Sequence, residues 1–99
     1  MGFIQIIEVT TKRVDEIQTL IDEWVASTEG NGTARRASLT ADRDRPDTYL
    51  QIVEFLSHDD AMANSDLPET SQFAEQLIKL CDSPPQFRNL DVRRADDLA

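Results

Sequence analysis

Two stretches of this chain nearly spell the same strand: Gln5-Ile6-Ile7-Glu8 near the start and Gln51-Ile52-Val53-Glu54 just past the middle. Each closes an apolar run of strand length, and each is followed by a polar cap and a helical pattern. The echo points to two copies of one strand-plus-helix unit. At 99 residues the chain has room for one such domain and no second core. The expected domain spans residues 1–94, with 95–99 a C-terminal tail.

Between and after the repeats the pattern is readable. Phe3 to Val9 is rich in β-branched residues and too short for a helix with its own core stripe. Thr10 and Thr11 are candidate caps for a helix from Lys12 to about Thr28. In that helix Val14, Ile17, Leu20, Ile21, Trp24 and Val25 recur at spacings of three and four. Gly30 suits a left-handed C-terminal turn. Thr33 to Ala41 reads as a strand and Thr48 to Phe55 as a stronger one, joined by a polar hairpin connection containing Pro46. Ser57 followed by Asp59 and Asp60 marks a helix start. Pro68 then opens a second helical piece running to Leu80, with Phe73, Leu77, Ile78 and Leu80 expected inward. Gln86 to Arg93 supplies the last strand, and the residues beyond it are expected to fray.

The order β-α-β-β-α-β is that of the ferredoxin-like α+β fold, with a four-stranded antiparallel sheet. The repeats fall on the first and third strands, which are expected to lie side by side at the sheet centre, running parallel. Phe3, Gln5, Ile7 and Val9 share one face with Tyr49, Gln51, Val53 and Phe55. Ile4, Ile6, Leu50 and Ile52 share the other. Both faces are largely apolar, yet the helices can cover only one of them. A second copy of the chain is therefore expected to cover the other across a two-fold axis.

Charge and composition narrow the partners. A net charge of −9 repels phosphate backbones and acidic lipid surfaces, so neither nucleic acid nor membrane is an expected partner. Cys81 stands alone and His58 is the one histidine, which excludes an internal disulfide and a usual zinc site of Cys and His ligands. No segment reads as a signal peptide or a bilayer span, and Met1-Gly2 lacks the Ser or Thr that a myristoylation site needs at its sixth residue. The expectation is a cytoplasmic protein.

At this point the chain resembles the dimeric α+β barrel superfamily, and within it the antibiotic-biosynthesis-monooxygenase-like group. The resemblance rests on strand order, length and the segment from Glu54 to Ser65: Phe55 at the end of the third strand, Ser57 and Ala61 four apart, then a short helix reaching the polar Asn64. Phe73-Ala74-Glu75-Gln76-Leu77 resembles the group's second helical piece. The resemblance implies a ligand cavity between helices and sheet, a small aromatic ligand, and monooxygenation without metal or organic cofactor. A non-enzymatic small-ligand-binding or stress-related module of the same fold is the alternative it leaves open. Haem degradation is not implied, because the first strand has no Asn, the third ends in Phe55, and residues 68–80 contain no His. Where other members carry a histidine near the end of the short helix, this chain has Asn64, which suits hydrogen bonding to a ligand better than acid–base work.

The candidate ligand-binding residues are Gln5, Gln51, Tyr49, Asn64, Trp24, Phe55 and Phe73; no catalytic residue is assigned. Gln5 and Gln51 are expected on the same side of neighbouring strands, where they either bind a ligand or satisfy each other and nearby backbone. Trp24, Tyr49, Phe55 and Phe73 either line a pocket or form ordinary core. Glu8 and Glu54, taken as neighbours on the opposite side, could form a coupled carboxylate pair or meet Arg35, Arg36, Arg88 or Arg93. His58, beside two aspartates in a cap, reads as a solvated surface residue. The kinase-like string Arg35-Arg36-Ala37-Ser38 and the sequon Asn31-Gly32-Thr33 read as chance.

Overall fold

The β-branched runs form the strands they predict. The computed structural model describes residues 2–99, so Met1, where the expected domain begins, lies outside the described residues. The elements are β1 (Phe3–Thr10), α1 (Val14–Ser27), β2 (Arg36–Ala41), β3 (Thr48–Phe55), α2 (His58–Ser65), α3 (Pro68–Leu80) and β4 (Gln86–Asp91). They build a ferredoxin-like α+β fold with one four-stranded sheet in the order β2-β3-β1-β4. Every adjacent pair is antiparallel.

The central pair corrects the sequence expectation: β1 and β3 are neighbours, but antiparallel. Topology is the reason. β3 leaves β2 through a hairpin and inserts between β2 and β1, so it runs against both. The two repeats therefore slide past each other head to tail. Gln5 faces Val53 and Gln51 faces Ile7, which keeps both glutamines on the helix side two register steps apart. Glu8 faces Leu50 and Glu54 faces Ile4, so the two glutamates sit at opposite ends of the outer face and form no dyad.

Each glutamate meets arginine instead. Glu8 Oε1 accepts from Arg88 Nη2 at 3.1 Å and from Arg45 Nη2 at 3.2 Å. Glu54 lies 3.8 Å from Arg36. Among the described residues Arg35 and Arg93 pair with neither glutamate, and Arg45, from the hairpin, is the partner that spacing did not reveal. Arg88 and then Arg45 hold the Glu8 carboxyl below its ordinary value of 4.5. A depressed carboxylate contributes stability above the ordinary value, and that contribution is lost as pH falls through the folded one. Urea melts from neutral pH to below 4.5 should show wild type losing more stability in acid than Glu8→Gln does.

The helices cover one face of the sheet. Phe3, Ile7, Val9, Val53 and Phe55 from the strands form a single core with Ile17, Trp24, Ala61, Phe73 and Leu77 from the helices. Two residues expected inward point out: Val25 is 52% and Ile78 is 54% exposed. Each follows a buried residue (Trp24 or Leu77) and so is rotated about 100° away on a helix of ~3.6 residues per turn. Caps divide in the same way. Ser57 Oγ accepts the Asp60 N–H at 3.1 Å, as its position in front of two aspartates predicts. By contrast α1 has no side-chain cap. The fully buried Thr11 accepts the Arg13 N–H and donates to the Leu80 carbonyl, tying the end of β1 to the end of α3.

Several strand ends are shorter than expected. β2 begins at Arg36 rather than Thr33, whose hydroxyl turns instead to the Asp60 carbonyl. β4 stops at Asp91, and residues 92–99 carry no helix or strand. The outer face of the sheet presents Ile4, Ile6, Leu50 and Ile52, all half-buried, beside the exposed Leu90 of β4. The ion pairs at Glu8 and Glu54 frame this apolar strip at its two ends.

Candidate functional site

A cavity of about 180 Å³ lies between the sheet and the α2–α3 corner. Its floor is Gln5 and Ile7 of β1 with Gln51 and Val53 of β3. Trp24 of α1 closes one side, and Phe87 of β4 borders the other. The roof is Asn64 and Ser65 at the end of α2, then Thr70, Ser71, Phe73, Ala74 and Leu77 of α3. The local sequence builds this corner. Asn64 follows Ala61 by three residues on a helix whose start Ser57 fixes, and Pro68 begins α3 where a missing amide proton leaves no vacancy.

Two polar atoms define the chemistry. Gln51 and Asn64 are each only 4% exposed, yet Gln51 Oε1 and Asn64 Oδ1 have no hydrogen-bond partner. An unpaired buried carbonyl of this kind costs about 1–3 kcal/mol, so native proteins rarely keep one without a use. Both line the same cavity. Gln5 is occupied differently: its Nε2 donates to Asn89 Oδ1 of β4 at 3.2 Å, so the two glutamines do not satisfy each other. Trp24 Nε1 donates to Thr70 Oγ1 at 3.1 Å, and its ring lies 5.7 Å from that of Phe73. This fixes an aromatic wall beside the two amides.

Of the seven residues singled out from the sequence, the fold brings Gln5, Gln51, Asn64, Trp24 and Phe73 around this one space. Tyr49 and Phe55 lie off its wall. Phe55 packs against Phe3 with ring centroids 6.4 Å apart, and Tyr49 sits across from Val9 at the other end of β3. Spacing could have found Thr70, which precedes Phe73 by three and Leu77 by seven on α3. Phe87 could be found only from the register that sets it opposite Ile7.

No titratable side chain lines the cavity among the described residues. His58 is exposed, with its ring edge-on to Phe3 at 5.2 Å. Burial pushes the Cys81 thiol up, and its Sγ donates to the Leu77 carbonyl at 3.1 Å. Among the described residues no cluster of His, Cys, Asp and Glu could hold a metal, and no helix is long and apolar enough to cross a membrane. A larger groove of about 520 Å³ runs along Thr28, Gly30 and Arg35, but no buried polar atom is left unpartnered there.

Solved structures of antibiotic-biosynthesis-monooxygenase-like proteins share this fold. SnoaB, a cofactor-independent oxygenase from Streptomyces nogalater, superposes with a TM-score of 0.78 at 18% identity, covering 95% of each chain. A structure described as an antibiotic biosynthesis monooxygenase gives 0.73 at 14% identity, covering 93% of this chain and 99% of that one. A conserved protein from Methanosarcina mazei gives 0.79 at 10% identity over 91% of both. No sequence-family model matches the chain, and no curated protein matches it by sequence. At these identities the likeness establishes the fold.

Proposed function

We propose that the protein binds a small aromatic compound in this cavity and oxygenates it without metal or organic cofactor, as a homodimer. The observation that carries the reading is a pair of amides, Gln51 and Asn64, each 4% exposed with its oxygen unpartnered, lining one cavity with Trp24 and Phe73. The two amides bring hydrogen-bonding groups to the cavity wall, and an aromatic ring can pack beside them on the Trp24–Phe73 pair. Likeness of fold to SnoaB, a cofactor-independent oxygenase, supports the reaction class. The proposed step balances as a phenol and O₂ giving a quinone and water. The ring supplies the electrons, one oxygen atom enters it, and the other leaves as water.

A second copy on the outer face completes the proposal. Ile4, Ile6, Leu50, Ile52 and Leu90 form an apolar strip flanked by ion pairs, a surface suited to sheet-on-sheet packing about a two-fold axis.

One observation favours a second reading, binding without turnover: the cavity wall has no side chain able to take the phenolic proton. Oxygen uptake decides between them. With a panel of hydroxylated one-ring aromatics, and neither metal nor flavin added, the proposal expects uptake that stops in Asn64→Leu. Binding with no uptake for any member would leave a binding module.

A further inference from the structure

One large side chain of the cavity wall is held more loosely than the others. Trp24 is pinned by its bond to Thr70 and packs on Phe73, and both rings belong to the buried core with Ile7, Val53 and Leu77. Phe87 is 51% exposed, stands outside that core and, among the described residues, packs on no other aromatic ring. Its strand adds to the looseness: β4 is a sheet edge bonded to β1 alone, and all six of its residues are exposed. The other exposed wall residues, Ser65 and Ser71, are small and sit on the helices. A half-exposed side chain changes rotamer freely, whereas a packed ring needs its neighbours to move first.

Register sets where this ring acts. Phe87 faces Ile7 and Ile7 faces Gln51, so the three share one row across the cavity floor. With the ring in place the space is about 180 Å³, near the ~150 Å³ of an apolar cavity known to take benzene. With the ring turned toward solvent, the space extends to the β4 edge, where no further strand closes it. We infer that Phe87 is the gate of the cavity: its ring turns outward to admit a ligand, turns back to enclose it, and by its bulk sets the largest ligand the space takes. The size limit rests on the binding reading above; the gating does not.

Trp24, the one tryptophan of the chain, reports entry without any assumed ligand. Acrylamide quenching of its fluorescence is compared for the full chain as wild type, Phe87→Ala and Phe87→Tyr. Trp24 also borders the grooves at Glu69 and at Thr28, so the change on substitution, not quenching itself, reads Phe87. Phe87→Ala should be quenched more steeply, and Phe87→Tyr, which restores the ring, should return to the wild-type slope. Phe87→Leu repeats the comparison with apolar packing partly kept, so that loosened folding in Phe87→Ala is not mistaken for opening. An alanine slope equal to wild type, or a tyrosine variant as open as alanine, overturns the gate.

Size is read by NMR from the Trp24 indole N–H with toluene and naphthalene. Wild type should take naphthalene at least about tenfold more weakly than toluene, the cost of overfilling a packed space, and Phe87→Ala should take both alike. Naphthalene bound by wild type as well as toluene, or still refused by Phe87→Ala, overturns the size limit and leaves a ligand site standing. If neither probe binds either protein, the binding reading falls and takes the size limit with it, while quenching still decides the gate.

Discussion

Replacing Gln51 with leucine raises the melting temperature of the ligand-free protein and removes its ligand binding. Asn64→Leu does the same. Most substitutions of buried residues destabilise, so a gain here is diagnostic. Each wild-type amide carries a buried oxygen with no partner, and an unsatisfied acceptor of this kind costs about 1–3 kcal/mol. Leucine is similar in size and needs no partner. A gain near ~1 kcal/mol would lift the midpoint of a domain this size by about 4–8 °C. Stability traded for a polar site is the signature of function. Were these amides structural glue, both leucine variants would melt lower, and differential scanning calorimetry separates the two outcomes. The effects of the two sites need not add, since both border one cavity.

Ile6→Asp on the outer face converts the proposed dimer to a folded monomer. Ile6 is half-buried in the single chain and lies on the opposite face from the helix-covered core, so the monomer keeps that core. In a sheet-on-sheet dimer the same position would be dry. Arg88 stands opposite Ile6 but is already engaged by Glu8, so the new buried charge goes largely uncompensated at about 3–5 kcal/mol, and a two-fold interface repeats the defect in both copies. Association should weaken by about three orders of magnitude or more, at about 1.4 kcal/mol per factor of ten. Sedimentation velocity at micromolar concentration reads this directly. A wild type that sediments as a folded monomer, or a variant that stays dimeric, contradicts sheet-face pairing.

Most of the frame was legible in the residues because periodicity is local. The two Gln-Ile repeats marked the central strands, the three-and-four spacing from Ile17 to Trp24 marked α1, and Ser57 and Pro68 marked the starts of α2 and α3. Direction and register were not local. Nothing within either repeat says that β3 enters between β1 and β2, so the strands were expected parallel and Glu8 was expected beside Glu54. The same inversion left the glutamines on one face, because reversing a strand while keeping its parity preserves which side each residue occupies.

The candidate site divides along that line. Trp24, Gln51, Asn64 and Phe73 were readable from the faces they occupy. Tyr49 and Phe55 shared the right face but stand too far along β3, a distinction that only the position of the α2–α3 corner supplies. The Arg45 contact to Glu8 depends on how the hairpin folds back, which no spacing rule encodes.

Two buried amides, Gln51 and Asn64, line the cavity and would hold its ligand. Side-chain amide NMR signals of Gln51 and Asn64, assigned with the two leucine variants, test this most directly. Adding resorcinol should shift both signals together with the Trp24 indole N–H, saturably and with one shared affinity. If those three signals stay fixed while resonances elsewhere respond, the cavity is not the binding site.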